Sequence, residues 1–396
     1  MKKRLIFSVL LITILLLGLT PGAVFADEGK ERKIVVFQPG AVNEAAKDEL
    51  TRQVGGIKIK KLDLIDGMVV YLPSKAAERA LAEKSEVLRI EDDIIIEALD
   101  KPAAPTQPAE TIPWGVNRID ADLAWGITTA DPIKVAIIDT GIDLKHPDLA
   151  GNIKGGVSTV GYTTKYTDDN GHGTHVAGIV AAIDNTIGVV GVGTKIDLYA
   201  VKVLDRRGSG YLSDIIEGLD WAILQKMQVI NMSLGTSQYS ASFEQAIKRV
   251  AAAGIVQVAA AGNSGSADNT VNYPAKFAEV ISVTATDNID NIAWWSSRGP
   301  EVDIAAPGVN IYSTYKGSTY ATLSGTSMAS PHVAGTAALV LSTPIGSWDI
   351  DGDGIWDPAE VQNKLETTAE QVAPDTTPGK DRLYGSGLVD AFAAMQ

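Results

Sequence analysis

The sequence predicts an α/β protein: a mostly parallel sheet with helices on both faces, preceded by a small α+β domain. From residue 112 onward, short apolar runs rich in Val, Ile and Ala alternate with longer stretches of helical periodicity. Such runs are typical of strands buried on both faces, and their alternation with helices favours a parallel sheet. Residues 27–99 have a different rhythm, with shorter strands and two short helices, and a proline-rich stretch separates them from the rest.

The first 26 residues have the pattern of a secretory signal peptide. Three basic residues precede an apolar stretch from Leu5 to Leu19, and small residues lead to Ala26. A membrane anchor is the less favoured alternative, because the apolar stretch is shorter than the roughly 20 residues that span a bilayer. We therefore expect a secreted, extracellular protein without a membrane anchor.

Residues 27–99 predict a small α+β sandwich. Its elements follow from apolar periodicity. The predicted strands cover residues 34–38, 57–62, 67–73, 87–90 and 94–99, and the predicted helices cover 43–54 and 74–84. Residues 100–111 follow as a linker, or as an N-terminal extension of the next domain, because three prolines interrupt every periodicity there.

Residues 112–396 predict the parallel sheet. The strands are expected at residues 133–139, 196–204, 228–234, 255–262 and 280–286, and the helices between and after them at 173–183, 212–225, 242–254 and 327–342. In such a sheet, active groups collect at the carboxyl ends of the strands. Asp139 ends the first of these strands, and Asn263 follows the fourth.

The composition excludes several classes of function. The net charge of −14 argues against nucleic acid or an anionic membrane as a partner and suits cation binding and solubility. A solvated acidic surface without a specific ligand is the alternative that the charge alone favours. The sequence contains no cysteine, which excludes disulfides, thiolate metal sites and a cysteine nucleophile.

Three segments contribute an Asp, a His and a Ser: AIIDTGI (136–142), GHGTHVAG (171–178) and SGTSMASPH (324–332). A serine hydroxyl becomes a useful nucleophile when an imidazole takes its proton and a carboxylate orients that imidazole. Taken singly, the Asp is also typical of a turn and the Ser of a helix cap. His172 and His175 also fit a metal pair or packed polar residues. All four histidines lie in or near these segments, which favours a joint catalytic role.

These segments resemble the motifs of the subtilisin-like serine proteases. DTGID followed by HPDL, then HGTHVAG and GTSMASPHVAG, match in the order Asp, His, Ser, and the likeness covers about Ile112–Gln396. The resemblance implies that Asp139 orients the imidazole, His172 acts as general base and acid, and Ser327 is the nucleophile. Two further histidines match family positions that take no chemical step, and we expect them to be structural: His175 and His332.

The resemblance also implies an oxyanion site and the edges that bind substrate. Ser327 opens a predicted helix, so its backbone N–H and the helix dipole face the developing charge, and the Asn263 side chain is the second donor. Peptide substrate is expected to bind as an added strand. The implied edge residues are Gly208, Ser209, Gly210, Ser233, Leu234 and Gly235.

Asn272 marks a departure from the family pattern. It precedes Tyr273–Pro274, where the bacterial subtilisins usually have Gly. The first specificity pocket is therefore expected to be smaller or more polar, with a preference for large apolar residues retained.

Residues 34–99 resemble the propeptide of the same family, which serves as folding template and then as inhibitor. The resemblance implies self-cleavage between Leu99 and Asp100, with residues 94–99 in the substrate cleft. An independent small domain with an unrelated binding role is the alternative.

Residues 349–360 have the spacing of an EF-hand calcium loop. Gly354 falls at the sharp turn of that loop, and an acidic capping turn is the alternative. The expected ligands are Asp349, Asp351, Asp353, Ile355 through its carbonyl, Asp357 and Glu360.

A second calcium site is implied by the resemblance alone. Its candidate ligands are Glu110, Asp148, Asn185 and the carbonyls of Ile183, Ile187 and Val189. Glu110 stands where the family has Gln. We expect Ca²⁺ at two or more sites.

The sequence thus predicts a secreted, calcium-dependent serine endopeptidase with polypeptide substrates. Its own propeptide is the expected inhibitor, and the mature enzyme is expected to be a monomer. One alternative is a catalytically inactive, calcium-dependent binding protein of the same fold. Another is a cell-surface docking module built on the EF-hand loop, although such modules usually carry two loops and the sequence has one.

Overall fold

The computed structural model describes residues 31–98, 109–265, 267–372 and 380–396. The predicted signal peptide, the Leu99–Asp100 bond and most of the predicted linker therefore lie outside the described residues. Within these ranges no helix combines the length and apolarity needed to cross a membrane.

Residues 31–98 form the N-terminal unit, which contains a four-stranded antiparallel sheet in the order β2-β3-β1-β4. Its elements are β1 (Glu31–Phe37), α1 (Glu44–Gln53), β2 (Ile57–Leu62), β3 (Gly67–Leu72), α2 (Lys75–Ala82), β4 (Val87–Asp92) and a separate strand β5 (Ile95–Ala98). The side chains of Asn43 and Ser74 accept from the first turns of α1 and α2, which explains where both helices begin.

Residues 109–396 form the larger domain. Its strands are β6 (Lys134–Asp139), β7 (Ile153–Ser158), β8 (Asp197–Lys202), β9 (Ser209–Tyr211), β10 (Val229–Met232), β11 (Leu234–Gly235), β12 (Val256–Ala260), β13 (Ile281–Thr286), β14 (Ile304–Pro307), β15 (Ile311–Tyr315) and β16 (Thr319–Leu323). Its helices are α3 (Trp114–Arg118), α4 (Ala121–Ala124), α5 (His172–Ala181), α6 (Leu212–Leu224), α7 (Ala241–Ala252), α8 (Thr326–Leu341) and α9 (Pro358–Thr367).

Seven of these strands form one parallel sheet in the order β14-β13-β12-β10-β6-β8-β7. Helices α5, α8 and α9 share a hydrophobic core with one face of the sheet, and α6 and α7 share another with the opposite face. The predicted fold class is confirmed. The sequence patterns missed the edge strands: β7 contains Gly155 and Gly156, and the four-residue β14 ends in Pro307, so neither reads as an apolar run.

The N-terminal unit packs over α6 and α7. Along β1, Ile34 and Val36 join the core that contains these two helices, whereas Val35 and Phe37 join the unit's own core. All four side chains are almost completely buried. Because alternate residues of a strand point to opposite faces, a run of four apolar residues serves two cores at once.

Strand β5 leaves the sheet of its own unit and lies between β9 and β11 of the larger domain. Both pairings are antiparallel. Ile96 pairs with Gly210, and Glu97 pairs with Ser209 on one side and Gly235 on the other. The last described strand of the N-terminal unit thus completes a three-stranded sheet on the surface of the larger domain.

Candidate active site

Asp139 and His172 meet at the carboxyl end of the sheet. Asp139 is the last residue of β6, His172 is the first of α5, and both are buried. The His172 Nδ1–H donates to Asp139 Oδ1 at 2.7 Å, so Nε2 is the basic nitrogen of the ring. A Cβ at Gly173 would lie 2.2 Å from the Gly141 carbonyl oxygen, and the close approach of the two segments therefore requires glycine at 173.

Ser327 lies in the first turn of α8 and contacts a buried network of polar side chains. Its Oγ donates to the Ser233 carbonyl at 3.2 Å, and Ser233 Oγ donates back to the Ser327 carbonyl at 2.8 Å. Asn231 Nδ2 donates to Ser233 Oγ at 2.9 Å, and Ser330 Oγ donates to Asn231 Oδ1 at 2.7 Å. These bonds fix the start of α8 on strand β10 and the residue that follows it.

Asn263 follows β12 and contacts the start of α8. Its Oδ1 accepts from both the backbone N–H and the hydroxyl of Thr326, each at 3.0 Å. Gly262 N–H in turn donates to Thr326 Oγ1 at 3.1 Å. Because two donors hold the amide oxygen, the amide has one orientation, with its NH₂ group on the side away from Thr326.

His175 and His332 are fully buried and bonded to backbone carbonyls. His175 Nε2–H faces the carbonyls of Ile311 and Ala321, each at 3.1 Å, and His332 Nδ1–H donates to the Met328 carbonyl at 2.8 Å. Burial lowers the pKa of His175 to about 3 and that of His332 to about 4. Both imidazoles are therefore neutral at physiological pH, which suits structural hydrogen bonds.

The expected substrate edges flank β5. Ser209 and Gly210 lie in β9, and Leu234 and Gly235 form β11, so these four residues pair directly with β5. Gly208 precedes β9 with a φ of +78°. A Cβ at Gly210 would lie 2.2 Å from the Val203 carbonyl oxygen, so only glycine fits there.

Asn272 lies beside the segment that leads to Asn263. Its side chain is buried, and a Cβ at Gly262 would lie 2.7 Å from Asn272 Nδ2. The Asn272 backbone N–H donates to the Ala261 carbonyl at 2.8 Å. The Asn272 amide is thus packed against the backbone next to Asn263.

The loop at residues 349–360 gathers three of its six expected ligands. Oxygen atoms of Asp349, Asp351 and Asp353 all lie within 4.8 Å of one another. Gly354 has a φ of +77°, as the turn requires. Asp357 is instead the N-cap of α9.

Glu360 closes this loop from the helix side. Its Oε1 accepts from Ile350 N at 2.6 Å, and its Oε2 accepts from Asp357 N at 3.0 Å. Asp357 Oδ1 accepts from Glu360 N at 2.8 Å, which completes a capping box. The acidic capping turn considered from the sequence is therefore present, next to the three-carboxylate cluster.

The residues expected at the second calcium site are also brought together. Asn185 Nδ2 donates to Asp148 Oδ1 at 2.8 Å and to the Ile183 carbonyl at 3.2 Å, and Glu110 Oε1 accepts from Asn185 N at 2.5 Å. Val189 N donates to Asp148 Oδ2 at 3.1 Å. Asn185 Oδ1 accepts from Ile187 N at 2.7 Å, so it faces away from the Asp148 carboxylate.

Sequence reasoning missed several buried polar residues that support the segments of Asp139, His172 and Ser327. Asn231 and Ser330 support the Ser327 segment, and Thr140 and Asp168 contact the segments of Asp139 and His172. A polar residue inside an apolar strand, such as Asn231 in QVINMSL, was the available signal. Asp168 gave none, because it is one of two adjacent aspartates in a polar loop.

Comparison with known proteins agrees with this geometry. Residues 130–387 match the Subtilase family. The chain is 41% identical over 398 residues, the full length of both proteins, to the "Thermostable alkaline protease" of Halalkalibacterium halodurans. It is 46% identical over 385 residues to the "M-protease" of Shouchella clausii, covering 94% of this chain and 93% of that one. It is 48% identical over 289 residues to "Subtilisin Savinase" of Lederbergia lenta, covering 73% of this chain and all of that one.

Proposed function

This chain belongs to the subtilase family and is a serine endopeptidase, and we propose that it is secreted, binds calcium and cuts itself from an inhibited precursor. Its substrates are polypeptides. The observation that carries the proposal is the position of β5, which lies between β9 and β11 and points its chain towards the Ser327 segment.

The proposed chemistry begins with attack by Ser327 Oγ on the scissile carbonyl carbon. His172 Nε2 takes the hydroxyl proton as the Oγ–C bond forms, and the buried Asp139 carboxylate stabilises the resulting imidazolium. His172 then gives that proton to the amine as the C–N bond breaks. Water hydrolyses the acyl-enzyme by the same proton transfers, which releases the acid and restores the Ser327 hydroxyl.

The negative charge on the substrate oxygen needs donors that are already in place. We assign this role to the Ser327 backbone N–H and to Asn263 Nδ2. The first N–H groups of a helix have no partner within the helix, and the dipole of α8 favours negative charge at this end. The two bonds from Thr326 to Asn263 Oδ1 support the assignment, because they orient the NH₂ group before substrate arrives.

The N-terminal unit is the proposed inhibitor. Besides the β5 pairings, two of its carboxylates bind the first turns of the underlying helices. Asp93 Oδ1 accepts from Ser213 N of α6 at 2.9 Å, and Glu91 accepts from Ala241 N and Ser242 N of α7 at 3.0 and 3.1 Å. Carboxylates are favourable at these positive helix ends. The unit thus combines an added strand with two charged caps.

Ion pairs add to this interface. Lys60 Nζ lies 2.6 Å from carboxylate oxygens of both Asp214 and Glu217 on α6. Arg32 donates to Asp93 at 2.5 Å and to Ser213 Oγ at 3.1 Å, and so supports the carboxylate that caps α6. These contacts favour a unit that occupies the cleft as an inhibitor over an independent domain.

The register of β5 supports cleavage between Leu99 and Asp100. Ala98 pairs with Leu234. Continuing that antiparallel register by one position leads to Ser233, whose carbonyl accepts from Ser327 Oγ. Because β5 ends beside the Ser327 segment, a cut soon after Ala98 fits the proposal.

Two features bear on specificity. Ile96 is fully buried and joins the core that contains Leu212, Ile215 and Leu234, which supports a preference for an apolar side chain three positions before the residue cleaved. For the cleaved residue itself, we propose a pocket for large apolar side chains whose inner wall carries the Asn272 amide. That amide would also accept polar side chains.

Calcium is proposed first at residues 349–360. Carboxylate oxygens are the ligands that Ca²⁺ prefers, and the convergence of Asp349, Asp351 and Asp353 fits such an ion. Asp357 and Glu360 would complete the set together with the Ile355 carbonyl, because carboxylate oxygens retain acceptor capacity beyond one hydrogen bond each. A bound ion would neutralise the repulsion among these carboxylates and stabilise the folded loop.

The second proposed calcium site comprises Glu110, Asp148, Asn185 and the carbonyls of Ile183, Ile187 and Val189. The Asn185 side-chain amide donates to the Asp148 carboxylate and to the Ile183 carbonyl, and Glu110 accepts from the Asn185 backbone N–H. To bind the ion, the Asn185 amide oxygen would have to turn from the Ile187 N–H towards Asp148. The ion would tie residues 109–111 to the loop after α5, with which they already form β-bridges.

The decisive experiment compares the full chain with its Ser327→Ala variant. We expect the wild type to yield a mature protein that begins at Asp100 by N-terminal sequencing, and the variant to stay uncut. Labelling of the mature protein by a serine-directed phosphonylating reagent should be stoichiometric at Ser327 and abolish peptide hydrolysis. Normal cutting of the purified variant on its own would exclude self-processing, whereas absence of labelling in mature protein would overturn the assigned nucleophile.

A further inference from the structure

Asp168 is a buried carboxylate to which the proposed catalytic steps assign no role. Its Oδ1 accepts from Thr140 Oγ1 at 2.9 Å and from the backbone N–H groups of Asn170 and Gly171 at 2.9 and 2.8 Å. Its Oδ2 accepts from the backbone N–H and the hydroxyl of Thr174 at 3.0 and 2.6 Å. Five donors on one carboxylate hold its position tightly.

These five donors come from the two segments that carry Asp139 and His172. Thr140 directly follows Asp139, and its backbone N–H donates to Asp139 Oδ1 at 2.7 Å. The Thr140 hydroxyl also accepts from Gly173 N, directly after His172, at 2.9 Å. A single hydroxyl therefore links Asp168 to both sides of the Asp139–His172 hydrogen bond.

Asp168 also takes the place of a helix cap. The N-cap of α5 is Gly171, which has no side chain to satisfy the first N–H groups of the helix. A Cβ at this position would lie 2.2 Å from the Tyr315 ring, and the φ is +119°, so a capping Ser or Asp does not fit there. The Asp168 carboxylate accepts from Gly171 N and Thr174 N instead, and so fixes the end of the helix that begins with His172.

We propose that Asp168 is a positioning residue for the reaction: it sets the separation and orientation of Asp139 and His172 through Thr140 and the first turn of α5. Its five hydrogen bonds go to Thr140, Asn170, Gly171 and Thr174, so it acts through residues that neighbour Asp139 and His172. Proton transfer depends steeply on such geometry, and a displacement of about 1 Å can lower a rate on the order of 100-fold. The position of Asp168 therefore bears on kcat far more than on KM.

The first test is Asp168→Asn in the full chain, with peptide hydrolysis measured on the mature enzyme and active sites counted by phosphonylation. The amide keeps the shape but replaces one acceptor oxygen with a donor, so at least two of the five bonds are lost. We expect kcat per active site to fall by about 10- to 100-fold with KM within about twofold. Asp143→Asn is the matched control, because Asp143 is a nearby buried carboxylate that binds the N–H groups of Lys145, Gly317 and Ser318.

The second test isolates the link and does not depend on Asp168→Asn folding. Thr140→Val removes the hydroxyl that joins Asp168 to Gly173 and keeps the side-chain shape, whereas Thr140→Ser keeps the hydroxyl. We expect the valine variant to lose kcat by about tenfold and the serine variant to restore it. Equal kcat in both variants would overturn the proposal. So would an Asp168→Asn enzyme that loses thermal stability as Asp143→Asn does while keeping its kcat.

Discussion

Helices on opposite faces of the seven-stranded sheet satisfy their N-termini in different ways. On one face, α5 and α8 begin after Gly171 and Gly325, neither of which offers a capping side chain. Asp168 and Asn263, both from the same domain, accept from the first N–H groups of these helices. On the other face, Ser213 N of α6 donates to Asp93, which belongs to the N-terminal unit.

Under the proposed cleavage, the caps on the first face would stay with the mature enzyme, and those on the second face would leave with the N-terminal unit. The partners of α5 and α8 are part of the larger domain, so the helices that carry His172 and Ser327 take none of these caps from the N-terminal unit. The caps of α6 and α7 come from Asp93 and Glu91, and the proposed cleavage would remove them. Substitutions on the first face should therefore change catalysis, and substitutions on the second face should change only inhibition and folding.

The largest expected effect is on the first face, at Asn263. Asn263→Ala removes the proposed oxyanion donor and the acceptor for Thr326. We expect kcat to fall roughly 100- to 1,000-fold with KM little changed, a magnitude measured on such a donor in a subtilisin. Steady-state kinetics per phosphonylated site provide the measurement. Asn269→Ala, an exposed Asn in the following loop, is the control, and an Asn263→Ala enzyme with normal kcat would remove this residue from the mechanism.

The second prediction concerns the two caps that the N-terminal unit supplies, Asp93 on α6 and Glu91 on α7. A cap contributes about 1 kcal/mol, or about fivefold in a binding constant. Glu91→Gln with Asp93→Asn should therefore raise the dissociation constant of the cleaved N-terminal unit roughly 30-fold without changing kcat. That constant follows from the activity recovered on serial dilution of freshly cleaved chain. Asp92→Asn is the control, because Asp92 pairs with Lys33 inside the unit; an equal effect there would argue against specific caps.

The third prediction returns to α8. Met328 follows Ser327, the proposed nucleophile, and is fully buried. Oxidation of its thioether would place a polar oxygen beside Ser327, so we expect peroxide to inactivate the enzyme partially and Met328→Leu to resist. Peptide mass spectrometry identifies the oxidised residue. Full activity with Met328 shown to be oxidised would contradict the proposed inactivation by a polar oxygen beside Ser327.

Features encoded within one short segment of sequence could be predicted, whereas features that depend on contacts between distant segments could not. Apolar periodicity located the buried strands, and the strand-end position of Asp139 followed from it. The acidic spacing of residues 349–360 also lies within one short segment. The position of β5 depends on pairing with residues more than 110 positions away, and only the family resemblance pointed to it. Asp168 could not be distinguished from Asp169 by sequence, because its role depends on which loops converge in space.

The sharpest contrast with the caps that the N-terminal unit supplies is at α9, which caps itself through Asp357 and Glu360 beside the proposed calcium loop. Ion binding at a calcium concentration about 100 times the dissociation constant contributes about 2.7 kcal/mol, so chelation should lower Tm by roughly 5–10 °C.

Asp351→Asn should reduce that calcium-dependent shift in Tm and leave Tm in chelator nearly unchanged. Glu360→Gln should lower Tm even in chelator, because it also weakens the capping box. Thermal unfolding of the mature enzyme measures both, with the exposed Asp268→Asn as control. Identical behaviour of the Asp351 and Glu360 variants would mean that the loop and the cap act as one unit.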